Sequence, residues 1–188
     1  MTASTGALPP ATSLWRNRSF LAVWSAGTIS IFGSLITRTA LPWAAILVLG
    51  AGALDIAALR GVEQVAALIV GLFAGAWVDR LRRRPIMIGA DLGRAILLGS
   101  IPVAYAFHAL TMAQLLVVAF LAAALSPFFD SASTAYLPTV VERDRLVEAN
   151  SALSAANSAS EFTGFSASGF LVQVLSAPIA IGIDAISF

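Results

Sequence analysis

The sequence predicts an all-α integral membrane protein, a bundle of transmembrane helices. Three observations carry that expectation. Hydrophobic residues make up 59% of the chain and charged residues 11%, where a soluble domain carries about 25% charged residues. A chain of this composition cannot cover a core with polar side chains, so lipid has to be its solvent. Apolar stretches of membrane-crossing length recur along it. Arginines gather in alternate connections and are missing from the others.

The elements follow in order. Residues 1–13 are small, polar and proline-containing and lack the basic and apolar regions of a cleaved signal, so a disordered cytoplasmic tail is expected. Leu14 to Ser19 reads as interfacial, with Trp15 at headgroup depth and Arg16 and Arg18 in the cytoplasm. A membrane helix needs about 20 mostly apolar residues. Five stretches satisfy this, at about 20–49, 54–78, 85–110, 112–140 and 146–175. A sixth begins near Pro178 and reaches Phe188. Eleven residues rise only ~16 Å, about half of a hydrocarbon core, so this span is expected to be incomplete and the chain to be a fragment. Pro42, Pro102, Pro127 and Pro138 fall within or near spans and predict kinks. The run from Ser151 to Ser168, rich in Ala, Ser and Gly, predicts a close-packing face, with a cavity lining as the alternative.

Arg16 and Arg18 precede span one, Arg80, Arg82, Arg83 and Arg84 lie between spans two and three, and Arg143 and Arg145 between spans four and five. The connections around residues 50–54, 108–111 and 176–178 hold no Arg or Lys. Positive-inside asymmetry therefore predicts a multi-pass protein of the cell membrane with a cytoplasmic N-terminus.

Composition also excludes function classes. A net charge of +1 argues against nucleic acid, which demands clustered cations. Without cysteine there are no disulfides, thiolate metal sites or cysteine nucleophiles. The single histidine, His108, falls in an outer connection. No catalytic constellation, metal site or cofactor is expected.

Short similarities recur at a nearly constant offset. Ile88 to Asp91 matches Ile181 to Asp184, 93 residues apart, Gly71 matches Gly164 at the same offset, and Leu41-Pro42 matches Leu137-Pro138, 96 apart. A unit of three helices repeated once is expected, with the second copy inverted because the number is odd.

The connection between spans two and three runs from Gly75 to Arg84 and resembles the major facilitator signature G-x-x-x-D-R-x-G-R-R. Gly75, Asp79, Arg80, Arg83 and Arg84 match, and Arg82 replaces the second glycine. Arg38 to Pro42, Asp91 to Ala95, Leu137-Pro138 with Ala149-Asn150, and Asp184 to Phe188 resemble segments of the branch of bacterial drug, macrolide and siderophore exporters. The resemblance implies the N-terminal six-helix bundle of the major facilitator fold, an inverted 3+3 repeat, truncated in its sixth helix. It further implies that the Gly75–Arg84 segment latches two halves of a transporter, the second being a C-terminal six-helix half. Gly75 is expected to allow close helix approach.

Ionisable groups within spans are expensive and usually have partners or line water. Arg38 and Glu63 both lie ~15 Å from the outer end of their helices, where they can pair. Arg60, three residues before Glu63, is a competing partner. Asp91 and Arg94 can pair within span three. Asp130 and Glu161 have no obvious arginine at their depth, and Asp184 lies in the sixth span. These seven residues, Arg38, Glu63, Asp91, Arg94, Asp130, Glu161 and Asp184, are the candidates for proton coupling or for lining a substrate cavity. The functional expectation is a secondary-active exporter of amphipathic small molecules, with the lipid bilayer, a small-molecule substrate and protons as partners. The alternative is a non-transporting half-transporter or a membrane interaction protein.

Overall fold

A computed structural model of the chain describes residues 14–78 and 81–187, apart from the side chains of Ala76 and Phe165. The expected tail, Asp79 and Arg80 lie outside the described residues. A short 3-10 turn, Leu14–Arg16, leads into α1 (Arg18–Leu49), followed by α2 (Ala53–Val78), α3 (Arg83–Ala106) and α4 (Met112–Val140). A second 3-10 turn, Arg143–Arg145, precedes α5 (Leu146–Leu175), and α6 (Ala177–Ser187) follows.

Local chemistry sets these limits. The side chain of Asn17 caps α1, accepting from the backbone N–H groups of Ser19 and Phe20 at 3.0 and 3.2 Å. Gly50 closes α1 in a left-handed conformation with φ +67°, a region glycine enters without a Cβ penalty. Ala51 N–H then reaches back to Ala45 O at 3.0 Å. Thr111 caps α4 by accepting from Gln114 N–H at 3.2 Å. The third helix ends at Ala106, short of the expected 110, because the backbone turns through His108 at φ 53°. Helices α1, α3 and α4 each run through their prolines without a break.

Among the described residues, four helices are long and apolar enough to cross a membrane: α1, α2 over Ala53–Gly75, α3 and α4. The sequence led us to expect five. Helix α5 carries Asn150, Ser154, Asn157 and Glu161 within its length, which makes it more polar than its neighbours. The reason for that polarity emerges from its packing.

Helix pairing follows the predicted repeat. Helix α2 packs on α4 as α5 packs on α1; α3 packs on α4 as α6 packs on α1; and α3 meets α6. Exchanging helices one to three for four to six maps this pattern onto itself. At one end of the bundle Asn17 Nδ2 donates to Val140 O at 2.8 Å, joining the start of α1 to the end of α4. Arg83 Nη1 donates to Ala135 O at 2.6 Å at the same end, close to Pro138, where a proline loosens the α4 ladder. Gln114 Nε2 meets Ser100 O at 3.3 Å at the opposite end.

Apolar side chains fill each end. Phe20, Leu137, Val141 and Ala149 cluster at the arginine-rich end. A larger cluster at the other end includes Leu41, Leu59, Leu98, Ile101, Leu115 and Ile181. Between them lies a layer of buried polar side chains: Ser30, Thr37, Arg94 and Asp184.

Small residues set the α1–α5 contact. Ala156, Ser160, Gly164 and Ser168 are buried at every fourth position of α5, so one stripe of the helix presents almost no side chain. A Cβ at Gly164 would lie 2.8 Å from Leu35 Cδ1, which shows how closely α1 approaches. Ser168 Oγ donates to Thr39 Oγ1 at 3.0 Å, and Trp24 Nε1 donates to Ala152 O at 3.2 Å. Trp24 is thus an interhelical donor, whereas Trp15, Trp43 and Trp77 are exposed. At Gly33 a Cβ would collide with Asp184 Oδ1 and Ser187 Oγ, so glycine is what lets α6 bring its carboxylate against α1.

Candidate functional site: a polar groove at the middle of the bundle

The hydroxyls of Ser30, Ser34 and Thr37 and the guanidinium of Arg38 recur at three- and four-residue spacing on α1. That spacing places them along one side of the helix. Opposite them stand Arg94 of α3, Ser126 and Asp130 of α4, and Asn157 and Glu161 of α5, which together line a cavity of about 660 Å³. A second cavity of about 780 Å³ continues toward the other end, past Trp43, Arg60, Glu63, Leu98 and Asp184. Both cavities are lined by Ser34, Arg38, Arg94 and Ser126, so together they form one groove with a polar waist.

This arrangement also explains the mixed character of α5. Its buried stripe of small residues lies against α1, while Asn150, Ser154, Asn157 and Glu161 line the groove. The Ser151–Ser168 run therefore serves as a packing face and as a cavity lining, on two sides of one helix.

Six of the seven candidate charges line the groove: Arg38, Glu63, Arg94, Asp130, Glu161 and Asp184. One of them has a local partner and the rest depend on packing between helices. Arg60 Nη1 pairs with Glu63 Oε2 at 2.9 Å, and Arg60 Nη2 donates to the backbone carbonyl of Arg38 at 2.8 Å. One ion pair thus braces the backbone beneath Arg38 while leaving its guanidinium to the groove. Arg94 is buried at the waist and donates through Nη2 to Ser34 Oγ at 2.6 Å. Its charge is felt by Asp184, Asp91 and Asp130, the first most strongly. Asp184 is wholly buried; it accepts from Thr37 Oγ1 and from Ser187 Oγ at 3.2 Å. Asp91 Oδ1 is buried and accepts no hydrogen bond among the described residues. Beyond Asp184 an apolar crevice of about 590 Å³ opens between α1, α5 and α6.

The loop signature is only partly visible. Asp79 and Arg80 lie outside the described residues. Arg84 is exposed, and Arg83 bonds α4 as described above. Gly75 was expected to permit close approach, but a Cβ there would meet nothing within 4 Å. Nothing described packs against that face of α2, so the glycine makes no tight contact within this bundle.

Sequence reasoning passed over Ser30, Ser34, Thr37 and Asn157. The signal was available in α1 as hydroxyls at helical spacing ahead of Arg38. Serine and threonine often bond their own helix backbone, so such a stripe alone is ambiguous.

A membrane bundle with polar groups converging at mid-depth has many possible relatives, and comparison with known proteins decides among them. The family model for the Major Facilitator Superfamily matches residues 23–188. The chain belongs to the major facilitator superfamily. Among curated proteins it is 38% identical over 96 residues to uncharacterized MFS-type transporters of Mycobacterium bovis and Mycobacterium tuberculosis. The aligned stretch covers 51% of this chain and 22% of each relative. No solved structure matches. Within the superfamily, this chain is thus a multi-pass helical membrane protein whose polar residues gather in one groove.

Proposed function

We propose that this chain is one half of a secondary-active transporter that exports amphipathic small molecules by alternating access, with protons as the coupling ion. The observation that carries this reading is the polar groove within an apolar bundle. Asn157, Ser154 and Glu161 are exposed on the middle stretch of a helix whose neighbours are built for lipid. Uncompensated polar groups do not face hydrocarbon. A water-filled pathway, walled on its far side by a second six-helix half, satisfies them. The drug and siderophore exporters that the sequence resembles fit the same picture, with the Gly75–Arg84 segment as the latch between halves. Carboxylates in the groove, Asp130, Glu161 and Glu63, are the candidates to carry the proton, and Arg38 and Arg94 to answer their charge. Family membership and the apolar helices support a cell-membrane location, and the arginine asymmetry supports a cytoplasmic N-terminus.

The open side of the groove favours a second reading, in which the chain is a membrane interaction protein that binds a partner and moves nothing. Everted membrane vesicles containing this chain joined to its second six-helix half separate the two. An imposed pH gradient is expected to drive ethidium or fluorescein uphill, and a protonophore to abolish that movement. Dye movement identical to that of vesicles lacking the chain overturns the transport reading. Unchanged transport in Glu63→Gln, Asp130→Asn and Glu161→Gln removes the proton from it.

A further inference from the structure

The charges around the groove fall into two classes. Some are answered locally. Glu63 is paired with Arg60. Asp184 is sealed under Thr37 and Ser187. Asp91 lies one helical turn from Arg94 on α3, and Asp130 is exposed on the 660 Å³ cavity. Arg38 and Glu161 stand out because they lie on the packed pair of helices α1 and α5. Arg38 and Glu161 are both exposed, both line the same 660 Å³ cavity, and neither is within ion-pair distance of an opposite charge among the described residues.

Their separation can be read from the packing of α1 on α5. Trp24 bonds Ala152, Leu35 faces Gly164 and Thr39 bonds Ser168, so the two helices run the same way in fixed register. Arg38 lies three residues beyond Leu35, and Glu161 three before Gly164. The offset of six residues corresponds to ~9 Å along the bundle at 1.5 Å per residue. Both helices are held rigidly there, α5 by its small-residue stripe and α1 by the Arg60 brace beneath Arg38. Opposite charges presented toward one cavity and held apart on rigid elements are complementary to a ligand that brings both signs.

We infer that the groove binds zwitterionic amphiphiles, with an anionic group on the Arg38 guanidinium and a cationic group on the Glu161 carboxylate. This rests on the transporter reading for its purpose, but it concerns binding and is tested separately. Ser34 and Asn157, which line the same cavity, offer hydrogen bonds between the two charges. Planar guanidinium matches a carboxylate or phosphate oxygen pair, so Arg38 sets the preference for an oxyanion.

Three dyes built on one ring system test the inference: tetramethylrhodamine (zwitterion), its methyl ester (cation) and fluorescein (anion). Fluorescence anisotropy is measured with this chain in lipid nanodiscs, and empty nanodiscs correct for partitioning. Tetramethylrhodamine is expected to bind about tenfold more tightly than either relative. Arg38→Ala should erase the difference between tetramethylrhodamine and its ester, whereas Arg38→Lys, which keeps the charge and the fold, should retain most of it. Glu161→Gln should weaken tetramethylrhodamine and the ester alike and leave fluorescein unchanged. Equal affinity for the three dyes, no binding above empty nanodiscs, or a ranking that the variants do not alter overturns the inference. If zwitterion binding is found but no dye moves in the vesicle assay, the transport reading fails and the site stands. If dyes move without a zwitterion preference, the site fails and the transport reading stands.

Discussion

Helices α2 and α5 hold equivalent places in the pairing pattern, one packed on α4 and the other on α1, yet only α5 lays a row of exposed polar residues along the 660 Å³ cavity. Helix α2 presents Leu68, Leu72, Phe73 and Trp77. Helix α5 presents Asn150, Ser154, Asn157 and Glu161 toward the groove, with Val147, Phe162 and Phe170 exposed elsewhere on it. Exposure in a membrane bundle has two meanings, lipid or water, and the side-chain chemistry tells which. The two matched glycines differ as well, Gly71 being exposed and Gly164 buried. The glycine Gly71 of α2 meets nothing, while its repeat equivalent Gly164 of α5 lies hard against Leu35. The placement of the two helices matches while their surfaces differ: on the proposed reading α2 is a wall toward lipid and α5 has a packed back and a front toward water.

The largest effect should come from giving α2 the surface of α5. Leu72→Arg places a charge on the lipid face and should cost about 3 kcal/mol of membrane insertion, seen as loss of membrane-integrated protein. Asn157→Arg on α5, which meets water in the groove, should integrate normally. Equal loss in both would erase the distinction between the faces. Next in size is a pair of glycine substitutions. Gly164→Leu should destabilise the bundle by about 1–3 kcal/mol through overpacking, lowering the melting temperature followed by circular dichroism. The equivalent Gly71→Leu should leave it within about 0.5 kcal/mol. Smaller again is Trp24→Phe, which removes the hydrogen bond to Ala152 O and keeps the ring. It should cost about 1 kcal/mol in the same melting experiment, and no change would mean that this bond does not help fix the α1–α5 register.

Most helix limits were legible in the sequence because the signals are local. Asn17, Gly50 and Thr111 act on backbone groups within a few residues of themselves. The end of α3 was less so, because the left-handed turn at His108 carries no glycine to announce it. Candidate charges were legible for a different reason: an ionisable residue in an apolar span stands out wherever it points. Their partners were legible only where they are local, as for Arg60 and Glu63; elsewhere partnership depends on how helices distant in sequence pack. Local spacing offers Asp91 to Arg94, whereas the structure turns the Arg94 guanidinium to Ser34 on α1 and places Asp184 of α6 on the same groove. The near approach of Asp184 depends on Gly33, some 150 residues earlier, and nothing at either position alone shows that they meet. The polarity of α5 could likewise be read as weak membrane character or as a pathway until its two faces were resolved.

On the proposed reading the exposed polar face of α5 meets water while the exposed apolar face of α2 meets lipid. The chain has no cysteine, so single cysteines can be introduced without a background. Asn157→Cys and Leu72→Cys, in membranes, are exposed to a charged, membrane-impermeant maleimide, which reacts with a thiolate in water and not with a thiol in hydrocarbon. The account predicts rapid labelling of Asn157→Cys and little of Leu72→Cys until detergent is added. Equal labelling of the two, or labelling of Leu72→Cys alone, would contradict it.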